Sequence, residues 1–113
     1  MNEAIGIIEM HGFVTAITVA DACAKAADVR VIAIDSNKPA NAETAEVPLI
    51  MAVKIQGSVS AVKSAVEEGS RVAESISGLI GSHVIAGPTD CAEKMAKRSS
   101  VGHDRVGQVR NGA

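Results

Sequence analysis

A polar run at residues 35–46 separates two apolar strand candidates, and it constrains the fold more than any other feature of the chain. The run contains Pro39, two asparagines and no large apolar side chain. A buried segment of this kind would leave backbone polar groups unpaired, so we expect it to project from the body of the protein. Loops of this length inside a small domain are usually functional. We therefore expect the function of the protein to involve this segment.

The composition indicates one small domain with a core of modest size. The chain has 113 residues, nearly half of them apolar, but its only aromatic residue is Phe13. Alanine, valine and isoleucine supply the bulk, and small side chains bury little area at about 25 cal/mol per Å². We expect a monomer of this kind to be marginally stable and to gain further burial by oligomerisation.

Charge and hydropathy exclude several classes of function. The net charge is −2, and no cluster of basic residues is interleaved with aromatics, so nucleic-acid binding is not expected. The apolar runs are far shorter than the roughly 20 residues that span a bilayer, and no secretory leader is visible. We therefore expect a cytoplasmic protein without membrane association. Cys23 and Cys91 form no CxxC pair, so no disulfide framework is expected.

Hydrophobic periodicity predicts seven elements. Strands are predicted at residues 3–10, 29–34, 47–55 and 79–86, and helices at 13–27, 58–77 and from about 90 to 98. In the first helix the predicted core face comprises Val14, Ile17, Val19, Ala20, Cys23 and Ala24. This order predicts an α+β, ferredoxin-like βαββαβ fold, with an antiparallel four-stranded sheet, helices on one face and a short C-terminal helix. Residues 1–98 would form the domain and 99–113 a flexible polar tail.

Four segments, taken together, resemble the hexameric shell proteins of bacterial microcompartments that have a single shell domain per chain. They are EAIGIIE at 3–9, ADACAKAADV at 20–29, GSVSAV at 57–62 and SHVI at 82–85. The run DSNKPAN at 35–41 is most similar to the shell proteins of glycyl-radical-type microcompartments. The resemblance implies a non-permuted shell domain, cyclic hexamers that tile into facets, and no enzymatic activity.

The resemblance also implies two sets of site residues. The loop between the second and third strands would line a central pore for small metabolites, through Ser36, Asn37, Lys38, Pro39, Ala40, Asn41, Ala42 and Glu43. An inward Lys38 would favour anions, whereas an inward Glu43 or Glu46 would favour cations, and the sequence leaves this open. Contacts between hexamers would involve Lys25, Asp28 and Gly87, the last replacing an arginine of the family. The implied partners are five further copies, other shell proteins, and encapsulated enzymes or their targeting peptides.

Other interpretations of the same residues stay open. Lys25 lies at the predicted end of the first helix, where its positive charge would favour the helix dipole without any contact to another hexamer. The loop is equally consistent with a surface insertion that lines no pore. A ligand-sensing regulatory module of ferredoxin-like topology, trimeric and binding a nucleotide or an amino acid, is the alternative function. The three histidines form no metal-ligand pattern, and the loop has no cysteine for an iron-sulfur cluster. We therefore expect no metal and no cofactor.

Overall fold

In a computed structural model the chain is described over residues 2–37 and 49–98. These residues form seven elements, in the predicted order: β1 (Ala4–His11), α1 (Phe13–Ala26), β2 (Val29–Asn37), β3 (Ile50–Gly57), α2 (Val59–Ile76), β4 (Leu79–Ile85) and α3 (Asp90–Ala96). The predicted tail and residues 38–46 of the predicted loop lie outside the described residues.

The four strands form one antiparallel sheet in the order β2-β3-β1-β4, which confirms the predicted ferredoxin-like fold. Side chains alternate between the two faces of a sheet. Ile8 and Met10 of β1 and Val53 and Ile55 of β3 point to one face, where they are completely buried. Both α1 and α2 pack on that face and against each other, so the core lies between the sheet and this pair of helices.

Each helix begins at a residue whose backbone conformation or side chain favours a helix start. Gly12 has φ of 89°, a conformation that favours glycine, and it turns the chain directly from β1 into α1. The Ser58 hydroxyl accepts a hydrogen bond from the Ala61 amide at 3.2 Å and caps α2. Thr89 caps α3 in the same way, through the Ala92 amide at 3.1 Å.

The second helix approaches the sheet closely over Gly6. A Cβ placed on Gly6 would lie 2.7 Å from Val66 and 2.9 Å from Val62, both on α2. Only a residue without a side chain fits there, so α2 rests almost directly on the backbone of β1. The close approach of helix and strand therefore fills the core even though its side chains are small.

One predicted boundary is wrong at the start of the polar run. Residues 35–37, predicted as loop, continue β2 and pair with β3, Asp35 with Ala52 and Asn37 with Ile50. Pairing with a neighbouring strand supplies their backbone hydrogen bonds, which outweighs the low strand preference of these polar side chains. The third strand begins at Ile50, and Leu49, predicted as strand, lies outside it. Residues 47 and 48 lie outside the described residues.

The predicted core face of α1 is also partly wrong. The helix buries Thr15, Ala16, Val19, Ala20 and Cys23. Val14 and Ile17, which we placed in the core, are 76% and 43% exposed, and Ala24 is exposed too. Nearly every position of the first two turns is apolar or Thr, so apolar spacing alone did not distinguish the face that meets the sheet.

The third helix contacts the other face of the sheet, called here the open face. Lys54 and Gln56 alternate with the core residues of β3 and therefore point to that face. Gln56 donates a hydrogen bond to the Glu93 carboxylate at 2.9 Å, and Lys54 donates one to the Arg98 carbonyl at 3.0 Å. These polar contacts hold α3 and its end on the open face.

Candidate functional site

The predicted pore segment begins at one end of the sheet, called here the loop end. Asn37 and Ile50 are the last pair of the β2–β3 ladder. Ser36 and Asn37 are exposed and lie at this end, whereas the other predicted pore residues, 38–43, lie outside the described residues. The Gly12 amide donates to the Leu49 carbonyl at 3.0 Å, which ties the start of α1 to the same end.

A shallow cavity of about 260 Å³ lies on the open face next to Ser36 and Asn37. Glu9, Asp35 and Lys54 supply its charged groups. Lys54 Nζ is 3.6 Å from the Asp35 carboxylate, and the Lys54 side chain is only 11% exposed. This pairing largely balances the two charges, since a mostly buried ammonium is costly to leave unpaired. The cavity therefore combines paired charged groups with apolar residues (Ile7, Ile50 and Ala52) beside the start of the loop segment.

The predicted edge residues lie at the opposite end of the molecule, called here the edge end. The register puts Val29 beside Gly57 and Gly57 beside Ala4, at the far end of the strands from Asn37. Lys25 is in the last turn of α1, and Asp28 is in the turn before β2. Gly87 follows β4, at the same end but beyond the opposite edge of the sheet. The structure thus places all three at one end, with Gly87 separated from the other two by the central strands.

The sequence interpretation missed the immediate neighbours of Lys25. Its ammonium is 2.7 Å from the Asp21 carboxylate one turn earlier, and its side chain is 76% exposed. The i,i+4 spacing of Asp21 and Lys25 is a signal that would have revealed this pair. Lys25 also lies beside a groove of about 460 Å³ between α1 and α2, whose lining includes Glu68 and Val72. No spacing rule predicts that groove, because two separate helices form it.

Their surroundings shift the pKa values of Cys23 and Glu68. Burial, and secondarily the charge of Glu68, raises the pKa of the Cys23 thiol to about 11, so this thiol is neutral at physiological pH. A hydrogen bond from Arg71 lowers the pKa of Glu68. Among residues 2–37 and 49–98 no three potential ligands cluster in a way that would hold a metal ion. None of the helices within this part of the chain is both long and apolar enough to cross a membrane.

The comparisons of sequence with known proteins agree on one family. The BMC domain model matches residues 4–88. The chain is 31% identical over 88 residues to the bacterial microcompartment shell protein PduK of Salmonella typhimurium, covering 78% of this chain and 50% of PduK. It is 36% identical over 89 residues to the carboxysome shell protein CsoS1 of Prochlorococcus marinus, covering 78% of each. It spans about half the length of the PduK relatives.

The fold agrees with a solved structure. A microcompartments protein from Desulfitobacterium hafniense DCB has a TM-score of 0.65 to this chain, with 22% identity, and the match covers 91% of this chain and 52% of that one. At this identity the likeness concerns the fold alone. The family match covers most of the chain, and CsoS1 matches over most of its own length. The chain therefore belongs to the BMC domain family, whose matched relatives are shell proteins of bacterial microcompartments and carboxysomes.

Proposed function

We propose that this protein is a structural, non-enzymatic shell subunit that forms cyclic hexamers, and that these tile into facets around enclosed enzymes. One observation supports this arrangement above the others: Ser36 and Asn37, where the predicted pore segment begins, lie at the opposite end of the sheet from the predicted edge residues. Asn37 and Ile50 end the β2–β3 ladder at the loop end, and Val29 and Gly57 end it at the edge end. A ring subunit needs this polarity, with one end at the axis and the other at the rim.

The loop end would surround the axis of the ring. Six copies of residues 36–43 would then line a central pore through which small polar metabolites pass. Ser36 and Asn37 supply exposed polar groups at its rim, and the charge of the pore would depend on whether Lys38 or Glu43 faces inward. The open-face cavity beside the loop would form part of the entrance.

The edge end would carry the contacts between hexamers. Lys25 is exposed, and an exposed ion pair such as the one with Asp21 is worth only about 0–1 kcal/mol, so the ammonium can exchange partners easily. Asp28 is exposed close by in sequence. Gly87 has no side-chain donor where the family has an arginine, so this position offers the edge fewer hydrogen bonds. We infer that other shell proteins contribute to the assembled facets, and that the enclosed enzymes or their targeting peptides are further partners.

Light scattering after size exclusion, followed by electron microscopy of concentrated samples, tests this function. We expect a particle of six copies, and sheets or tubes with a regular hexagonal lattice. A particle of three copies whose melting temperature rises on addition of a nucleotide or an amino acid would support the regulatory module instead. A monomer at all concentrations would contradict the proposal.

A further inference from the structure

Lys54 lies where two parts of the open face meet. It is near the middle of β3, and its side chain is only 11% exposed, so its charge needs partners within the protein. The ammonium is 3.6 Å from the Asp35 carboxylate on β2 and donates a hydrogen bond to the Arg98 carbonyl at 3.0 Å. One side chain therefore contacts both the strand that leads to the predicted pore segment and the residue that leads to the predicted tail.

The contact with Arg98 is a contact with the end of α3. The Arg98 amide donates to the Met95 carbonyl at 3.2 Å, so its peptide group continues the last turn of the helix. Carbonyls at a helix C-terminus lack partners within the helix and carry partial negative charge, and an ammonium suits both properties. Lys54 thus holds the C-terminal end of α3 on the sheet.

Polar contacts supply much of what holds α3 on the open face. The helix has seven residues, whereas isolated helices shorter than about 12–15 residues are marginal in water. Ala96 is its buried residue, and the neighbouring Met95 is 56% exposed. Gln56 donates to the Glu93 carboxylate at 2.9 Å. Because the main core lies on the other face of the sheet, α3 can leave without opening that core.

The contact with Asp35 stabilises the end of β2. This strand is at an edge of the sheet, and its last residues, 35–37, are polar and have low strand preference. Lys54 pairs with Ala33, so Asp35 is its diagonal neighbour on the open face, within reach of a long side chain. Low exposure reduces screening by water, which strengthens the attraction between the two charges.

We propose that Lys54 couples the docking of α3 to the ordering of the end of β2. An ammonium has three donors, so it serves both acceptors at once and the two contacts do not compete. When α3 lifts from the sheet, water reaches the ammonium and weakens its attraction to Asp35. Coupling of this kind is reciprocal, so loosening of residues 35–37 also weakens the hold on α3.

This coupling is a property of one subunit and goes beyond the proposed function. In the proposed ring, Ser36 and Asn37 begin the pore segment. Release of α3 from the open face would then loosen the start of that segment, which gives the pore a point of control at a different part of the subunit. This consequence rests on the proposed function, whereas the coupling itself does not.

Two adjacent substitutions on α3 separate docking from charge. Ala96→Asp puts a carboxylate where the helix meets the sheet and should lift α3, because an unpaired charge is costly to bury. Met95→Asp adds the same charge at the exposed neighbouring position and is the matched control. Lys54→Met removes the ammonium but keeps a long, unbranched side chain. Asp35→Asn breaks the same pair from β2 and keeps an oxygen for the Ser36 amide, which donates to Asp35 at 3.0 Å.

Hydrogen exchange of the full-length chain, followed by mass spectrometry, reports on both segments. Residues 90–96 report on α3, and residues 35–37 with their partners 50–52 report on the end of β2. We expect Ala96→Asp alone to speed exchange at least tenfold in α3 and at least threefold at the end of β2, and Met95→Asp to change neither. With Lys54→Met or Asp35→Asn, the end of β2 should exchange faster from the outset, and adding Ala96→Asp should accelerate it no further.

Each other pattern of exchange counts against the proposal. Faster exchange in α3 alone would overturn the coupling, and equal acceleration of the end of β2 with and without Lys54 would overturn the role of that residue. The same response to Met95→Asp as to Ala96→Asp would show that added charge is the cause. An α3 that Ala96→Asp does not loosen would overturn its release from the sheet. A chain that forms no hexamer but shows the expected pattern would contradict the proposed function and support the coupling.

Discussion

Replacing Gly6 by alanine tests whether the close contact between β1 and α2 controls stability. The new methyl group would lie 2.7 Å from a methyl of Val66, 2.9 Å from one of Val62 and 3.0 Å from Ile55, where ordinary carbon contacts are about 3.5–4.0 Å. The two valines are on a helix, where their side chains have one strongly preferred rotamer and cannot turn away.

The expected magnitude follows from two opposing effects. Overpacking of a filled core costs about 1–3 kcal/mol, and clashes on three sides favour the upper half of that range. Alanine recovers about 0.5–1 kcal/mol because glycine loses more backbone freedom on folding. The net loss is therefore about 1–2.5 kcal/mol. For a domain of roughly this size, each kcal/mol lowers Tm by about 4–8 °C.

Gly81→Ala is the matched control for this substitution. Gly81 lies in β4, and a Cβ there would meet nothing within 4 Å. Its alanine variant should be as stable as the unmodified chain or gain up to about 1 kcal/mol. Both variants are compared by thermal and urea unfolding at one protein concentration, because self-association makes Tm depend on concentration. A Gly6→Ala variant as stable as Gly81→Ala would refute the close-packing argument.

Three further predictions concern the edge, the loop and the thiols. Lys25→Ala should keep the mass of the ring but abolish or alter sheets in electron micrographs, whereas Lys63→Ala on α2 should change neither; unaltered sheets would mean that the edge assignment is wrong. Deletion of residues 40–45 should leave Tm within a few degrees, because the segment has no large apolar side chain, and should alter the central opening in class averages; loss of the folded circular dichroism spectrum would contradict it. At pH 8 Ellman's reagent should modify the exposed Cys91 quickly and Cys23 only after unfolding, because burial holds the pKa of Cys23 at about 11. In a Cys91→Ser variant, rapid native-state reaction would refute that assignment.

The order of elements was predictable because each one is marked by local signals. Gly12 and Gly57 end strands, and Ser58 caps the helix that follows, so the chain itself marks the boundaries. The topology then follows from the order of strands and helices, since few arrangements of this order are sterically sound. These signals involve neighbours in sequence, which is why they could be interpreted without knowledge of the folded state.

The ends of β2 and β3 were not predictable in the same way. Asp35, Ser36 and Asn37 are typical loop residues, and nothing in their own chemistry favours a strand. They form one because β3 offers partners at Ala52, Met51 and Ile50. The pairing also brings Asp35 near Lys54, so part of the candidate site depends on a contact between strands. Such contacts depend on register, which a single sequence does not specify.

The start of α1 shows how side-chain size would have separated the two apolar faces that periodicity confused. A helix that rests closely on a sheet needs small side chains beneath it, and Ala16 and Ala20 provide them. Val14 and Ile17 are larger and face outward, although Val19, as large as Val14, is completely buried. An apolar count over this helix therefore adds a buried face and an exposed face together. Sorting the same residues by volume separates Ala16 and Ala20, which face the core, from Val14 and Ile17, which face outward, whereas Val19 shows that a valine also fits beneath the helix.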